Sequence, residues 1–244
     1  MKEKYLDSLA IKYETDKYNG HWYTPHYDFH FKKLRNKKIN LVEIGVGGYD
    51  SPQEGGNSLR MWKEYFKKGM IYGIDIHEKT GLEQDRIKIF KGSQTDKQFL
   101  EEVCQQIGPI DIIIDDGSHI NGHVIASFKI LFPLLKTGGI YVIEDLQTSY
   151  WPYEGFGGDS ENLNNPRTSM SFLKSLTDGL NFKEFIRPGY KPSYFDMNII
   201  SMQFYHNMVF IYKGLNKEES NFILNNSIEH LNFIPSRDPV YENS

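Results

Sequence analysis

The chain has 244 residues, which suits one α/β domain able to bury most of its apolar surface without staples. Its net charge is −4 with scattered lysines, which argues against a nucleic-acid partner. No apolar run approaches the ~20 residues of a membrane span, the charged start MKEKYLDSLAIKYETDK is no secretion signal, and the one cysteine, Cys104, excludes an internal disulfide framework and points to the cytosol.

In chain order, residues 1–38 read as a mostly helical cap rich in His, Tyr and Trp. A core over 39–214 follows. INLVEIGV (39–46) is a strand, and NSLRMWKEYFKK (57–68) carries Leu59, Trp62 and Phe66 at helical spacing. MIYGIDI (70–76) and RIKIF (86–90) are strands, and TDKQFLEEVCQQI (95–107) is a helix that places Cys104 as a packed thiol. IDIIIDD (110–116) is continuously apolar until its acids, as in a strand buried on both faces. HVIASFKILFPLL (123–135) is a helix whose end Pro133 bends, GIYVIED (139–145) a strand, and RTSMSFLKSLTDGL (167–180) a helix. MNIISMQFY (197–205) and MVFIYKG (208–214) flank His206-Asn207 as a hairpin. A helix and polar tail are expected over 215–244. The alternation specifies a Rossmann-like, doubly wound, mostly parallel sheet with an antiparallel C-terminal hairpin, in a single domain over 1–244.

The first strand breaks into glycines at Gly45, Gly47 and Gly48, which lets backbone approach a ligand closely. A dinucleotide fingerprint would run straight into a helix. Here the helix waits until Asn57, and the acid closing the second strand, Asp75, lies 30 residues past Gly45. Glycines that far from the helix are poorly placed to hold a pyrophosphate at its N-terminus. Glu43 can orient the loop or meet an ammonium, and Asp75 can accept both ribose hydroxyls. Such a set suits S-adenosylmethionine (SAM); a purely structural turn is the alternative. The delay leaves room for a methionine tail, with Tyr49 and Ser58 in reach.

The fourth strand ends in Asp115-Asp116 and the fifth in Glu144-Asp145, at the same sheet edge. Four carboxylates ending two buried strands repel one another, and desolvation adds to that penalty. Mg²⁺ takes oxygen ligands and keeps open positions, so Asp116, Glu144 and Asp145 are the expected metal ligands. Asp115, nearer the glycines, is expected on the cofactor side, facing the adenine. The alternative is that some of these acids merely cap helices. His119 and His123 have a zinc-like i, i+4 spacing, but the surrounding carboxylates favour a hard ion. His119, with Asp116 beside it, is the expected catalytic base.

These motifs resemble the metal-dependent class I SAM methyltransferases that act on sugar hydroxyls, above all the macrolide sugar 2-O-methyltransferases of the mycinamicin type. The cephalosporin hydroxylase group is a more distant likeness. TDKYNGHWYTPHYDFHF (15–31), EIGVGGYDSPQEGGNSLRMWKEYF (43–66), GIDI (73–76), GSQTD (92–96), IIIDDGSH (112–119) and VIEDLQTSYW (142–151) carry it; beyond residue 160 nothing is recognised. The resemblance implies seven strands, SAM on the Gly45–Gly47 loop, Asp75 on the ribose, and Ser93 and Gln94 beside the adenine. It also implies Mg²⁺ on Asp116, Glu144 and Asp145, and His119 as base. The macrolide enzymes carry an extra N-terminal domain, and this chain starts just before the shared core.

The expected activity is Mg²⁺-dependent transfer of SAM's methyl to a hydroxyl of a sugar, leaving S-adenosylhomocysteine (SAH). The acceptor is a nucleotide-linked sugar, glycan or glycoside, and a homo-oligomer is compatible with the sequence. Tyr150, Trp151 and Tyr153 lie in the long segment 147–166, which reads either as a lid that stacks on a sugar or as a loop anchored by its own aromatics. Two rivals share the fold: an NAD(P)-dependent oxidoreductase and a non-catalytic SAM-binding scaffold.

Overall fold

A computed structural model describes residues 5–153 and 155–227. Its elements are α1 (Tyr5–Lys12), α2 (Thr24–Phe31), β1 (Asn40–Ile44), α3 (Asn57–Tyr65), β2 (Met70–Asp75), β3 (Ile87–Lys91), α4 (Lys97–Ile107), β4 (Ile110–Asp115), α5 (Asn121–Leu134), β5 (Leu135–Ile143), α6 (Ser169–Gly179), α7 (Tyr194–Asn198), β6 (Ile199–Tyr205) and β7 (Met208–Lys213). They form one seven-stranded sheet in the order β3-β2-β1-β4-β5-β7-β6. The first five strands are parallel, and β7 pairs antiparallel with both β5 and β6. The expected sheet and its terminal hairpin are therefore present. Strand order reverses between β1 and β4, which is where such sheets bind ligands.

Successive side chains of a buried strand point to opposite faces, and both faces here are covered. Leu41, Ile112, Ile114, Ile140 and Val142 pack under α1, α2 and α3 with Tyr27, Phe31 and Trp62. Val42, Ile113, Tyr141 and Ile143 pack under α4, α5 and α6 with Phe128, Phe132 and Leu173. This alternation explains why the central strands read as unbroken apolar runs.

The largest departures from the expected boundaries lie at α5, at β5 and in the C-terminal segment. α5 starts at Asn121 and runs with Pro133 in its last turn directly into β5, which begins at Leu135 rather than 139. Lys213, buried on β7, donates from Nζ to the carbonyls of Phe132, Pro133 and Leu135, so the end of that helix is satisfied without a loop. The helix expected within 215–244 is absent over 215–227, and the rest of that segment lies outside the described residues. Among the described residues no helix is long and apolar enough to cross a membrane.

Candidate active site

The pleat decides what each strand-end acid faces. Glu43 follows Leu41 in parity, Asp116 follows Ile112 and Ile114, and Glu144 follows Ile140 and Val142, so all three turn to the face covered by the N-terminal cap. Asp115 and Ile143 share the opposite parity and turn toward α5. One residue of phase thus splits the acids into two groups.

The cap supplies a cation that sequence reading missed. Lys17, 1 % exposed, sits in the segment between α1 and α2. Its ammonium donates to Asp116 Oδ2 at 2.6 Å and to Glu144 Oε1 and Oε2 at 2.8 and 2.9 Å, and lies 3.2 Å from Glu43 Oε1. Tyr27 donates its hydroxyl to Glu144 Oε1. Burial works against the charged lysine, but Asp116, Glu144 and Glu43 outweigh it and hold the ammonium well above its ordinary pKa. Burial pushes Glu43 up to about 7 despite Lys17. Burial and the Asp116 charge raise Glu144 well above the carboxylate range. The signal for a cation in the sequence is the charge imbalance at the strand ends, which a metal alone also satisfies. Lys17 was inside a quoted motif, but nothing in its spacing marked it as a buried ion.

Glu43, fully buried, is therefore spoken for by Lys17, and its expected meeting with a ligand ammonium is corrected. Asp115 is likewise corrected. Ser127 on α5 donates its hydroxyl to Asp115 Oδ2, and Gln94 donates from Nε2 to Oδ1 at 3.2 Å. Asp115 is 1 % exposed and pushed up by burial to about 6, so it lies beneath the site and holds Gln94 rather than facing a ligand.

A cavity of about 970 Å³ opens above the carboxyl ends of β1, β2 and β4. Gly45, Gly47, Tyr49, Ser58, Asp75, Ser93 and Gln94 all line it, as do Asp116, His119 and Asp145. Gly45 has φ +90°, and a Cβ there would lie 2.0 Å from the Asp116 carbonyl oxygen, so only glycine lets the loop pass the end of β4. Asp75 accepts from the Val46 amide (2.9 Å) through Oδ2 and from the His77 amide (2.8 Å) through Oδ1, which fixes the carboxylate at the cavity wall. Gln94 Oε1 accepts from the Ser118 amide at 2.8 Å.

The delayed helix is nearer than its spacing suggested. Residues 47–56 double back, and the Gly56 amide donates to the Val46 carbonyl at 2.7 Å. The N-terminus of α3 therefore meets the glycine loop, and Asn57 and Ser58 line the cavity. Left-handed Gly55 and Gly56 make the return, and a Cβ on Gly55 would lie 2.3 Å from the Gly47 carbonyl oxygen. Arg60 donates to Asn57 Oδ1, holding that first residue of the helix.

The outer face of the acids carries His119, Asp116 and Asp145, whose ligand atoms lie within 4.8 Å of one another. His119 Nε2 is 3.5 Å from Asp145 Oδ2 and 3.9 Å from Asp116 Oδ1. Asp145 also accepts from the Tyr23 hydroxyl at 2.6 Å and lies 3.6 Å from His21 Nε2. Burial tends to raise Asp145, but His119, Tyr23 and His21 prevail and hold its carboxyl below the usual range. His119 and Asp145 both adopt left-handed φ, 54° and 53°, a strained choice for non-glycine residues that concentrates at functional sites. Glu43, Asp116 and Glu144 form a second set within the same spacing, so Asp116 belongs to both. His123 pairs with Ser118 Oγ at 3.0 Å instead of joining His119 in a zinc-like pair. Cys104 is buried and pushed up to about 11 by that burial, as a packed thiol should be.

The base of the 147–166 segment is tied down. Asn121, 1 % exposed, donates from Nδ2 to the carbonyls of Thr148 and Phe156, while its Oδ1 accepts from the Ser169 amide and from the hydroxyls of Ser149 and Ser169. Trp151 stacks on Tyr153 at 6.1 Å and meets Phe156 edge-on. Phe156 lines the cavity, whereas Tyr150, Trp151 and Tyr153 stand outside its lining.

No family model matches the sequence. The chain is 49 % identical over 215 residues to demethylmacrocin O-methyltransferase of Streptomyces fradiae, covering 87 % of this chain and 54 % of that enzyme. It is 48 % identical over 215 residues to mycinamicin VI 2''-O-methyltransferase of Micromonospora griseorubida, covering 87 % and 53 %. The structure of the mycinamycin-pathway methyltransferase MycE in complex with Mg, SAH and mycinamycin VI superposes with a TM-score of 0.84 at 46 % identity, over 89 % of this chain and 55 % of that one. The likeness thus extends well past residue 160, where the motifs ran out. The chain spans about half the length of the curated relatives it matches. Over that half, it is a homologue of the macrolide sugar O-methyltransferases and carries their α/β methyltransferase fold.

Proposed function

We propose that the chain is a SAM-dependent O-methyltransferase, assisted by Mg²⁺, acting on a sugar hydroxyl of a glycosylated small molecule. The observation that carries this is one cavity with Gly45 and Asp75 on one side and the Asp116–His119–Asp145 face on the other. The relatives' names and the Mg and SAH in MycE support it. The single buried thiol fits work in a reducing cytosol.

The residues fit the groups. Gly45 and Gly47 admit a ligand close to backbone, the amides opening α3 suit a carboxylate, and Tyr49 and Ser58 border that end. Asp75 is fixed to accept ribose hydroxyls, with Ser93 and Gln94 on the adenine side. Asp116 and Asp145 would hold the metal from the cavity wall. Glu144 would complete the set through Oε2, which among the described residues accepts from Lys17 alone, where Oε1 also accepts from Tyr27. All are oxygen donors, as a hard divalent ion requires.

The ion, when bound, would acidify an acceptor hydroxyl and hold it in place. His119 would take that hydroxyl's proton through Nε2 as the methyl leaves sulfur for oxygen. Asp145, beside the same imidazole, would stabilise its protonated form. Phe156 narrows the mouth of the cavity, and Tyr150, Trp151 and Tyr153 would meet the acceptor outside it.

The test is to incubate the chain with SAM, Mg²⁺ and a panel of glycosylated macrolides, other glycosides and nucleotide sugars. Mass spectrometry should show at least one acceptor gaining a methylene unit, and EDTA should stop the gain. A chain that methylates nothing in the panel yet binds NAD in place of SAH would favour the oxidoreductase reading instead.

A further inference from the structure

Lys17 shares two carboxylates, Asp116 and Glu144, with the set proposed to hold the metal. Two relations are conceivable between a lysine and a divalent ion so placed. The lysine can stand in for the ion and leave when it binds, or both can be resident together. The surroundings favour the second. Lys17 is 1 % exposed, and its ammonium is ringed by Glu43, Asp116 and Glu144 on the core side of the acids. Glu43 is fully buried, its ion-pair partner among the described residues is Lys17, and it does not line the cavity. If the lysine departed, that carboxylate would remain in the interior beside two others, a costly arrangement. The backbone that carries Lys17 is also fixed, since its carbonyl accepts from the amides of Tyr23 and Thr24 at 3.1 and 3.2 Å.

We propose that Lys17 is a permanent cation of this site, a positioning residue that holds the inner oxygens of Glu43, Asp116 and Glu144 with and without the metal, and so confines a single divalent ion to the outer face beside Asp145. The proposal rests on reading Asp116 and Asp145 as metal ligands.

Three measurements on the full chain test it. In the native chain labelled with ¹⁵N-lysine, the Lys17 ammonium signal, assigned by its loss in Lys17→Arg, should persist when Mg²⁺ is added to saturation. Its disappearance on saturation would mean that the lysine is a displaced placeholder. Mn²⁺ binding followed by electron paramagnetic resonance should count one ion per native chain and two per Lys17→Ala chain, the second in the emptied nest of Glu43, Asp116 and Glu144. One ion bound at least tenfold more tightly by Lys17→Ala would mean direct competition and overturn the proposal. Propylammonium, which replaces the deleted side-chain atoms, should restore the melting temperature of Lys17→Ala and return the Mn²⁺ count to one, where methyl-capped propylamide, lacking the charge, should not. If Lys17→Ala folds only in propylammonium, that requirement is itself the expected rescue, and equal rescue by the uncharged analogue would refute it. A native chain that binds no Mn²⁺ would overturn the metal reading, and the amine rescue would then decide for or against Lys17 by itself.

Discussion

Asp115 and Asp116 are neighbours in sequence and face opposite sides of the sheet, so they answer to different chemistry. Asp115, held up at about 6 by burial from an ordinary 3.8, keeps a proton in the folded state that the unfolded chain releases. Its contribution is therefore present at low pH and lost as pH rises from about 4 to about 6, on the order of 3 kcal/mol in all. Asp115→Asn carries no such proton. Melting temperatures of the metal-free chain should shift in favour of the variant across that window and run parallel above it; parallel curves throughout would refute the assignment. His119→Ala should lower kcat by roughly 10²–10⁴-fold while SAH affinity stays level, and stopped-time assays at saturating SAM would show it. The sequence made the glycines, Asp75, Asp116, His119 and Asp145 legible because each sits at a strand end in a recognisable pattern. It misassigned Asp115 and Glu43 because strand parity was not applied to the acids: counting from Ile112 and Leu41 would have sent them to opposite faces. Lys17 was hidden for a different reason, since its partners arrive from strands far away in sequence.

At the level of elements, two buried anchors shape the loops around the cavity. Lys79, fully buried, donates from Nζ to the carbonyls of Ser51 (2.6 Å) and Glu54 (2.9 Å), which holds the doubled-back loop against the end of β2. Lys79→Met keeps the stem but frees those carbonyls. It should weaken SAH binding by about tenfold, the equivalent of one lost charge-assisted hydrogen bond, with Mn²⁺ affinity unaltered; calorimetric titration of both ligands would check it. Asn121→Ala would leave the Ser169 amide without its acceptor, while the Thr148 and Phe156 carbonyls keep the backbone amides of Trp151 and Asn121, and should destabilise the chain by about 1–3 kcal/mol, measured by urea unfolding. These anchors also explain what spacing could and could not reveal. The start of α3 at Asn57 was legible, yet its return to the glycine loop depends on Gly55 and Gly56 turning left-handed, which residue counting does not show. The aromatic segment was legible as a long loop. Its attachment through Asn121 was not, because a buried asparagine opening α5 resembles any other helix start.

Over the whole molecule, the parallel sheet and its closing hairpin followed from hydrophobic periodicity, because strands covered on both faces and amphipathic helices leave strong and different patterns. The sequence also located the cavity at the strand ends, as the reversal between β1 and β4 requires. It divided the cavity into a cofactor half around Asp75 and a metal half around Asp145, and that division is the central claim. It is tested most directly by titrating SAH and Mn²⁺ separately into the native chain, Asp75→Ala and Asp145→Ala. Asp75→Ala should lose SAH and keep Mn²⁺, whereas Asp145→Ala should lose Mn²⁺ and keep SAH. Loss of both ligands in either folded variant, or retention of both in Asp145→Ala, would contradict two adjoining sites with separate ligands.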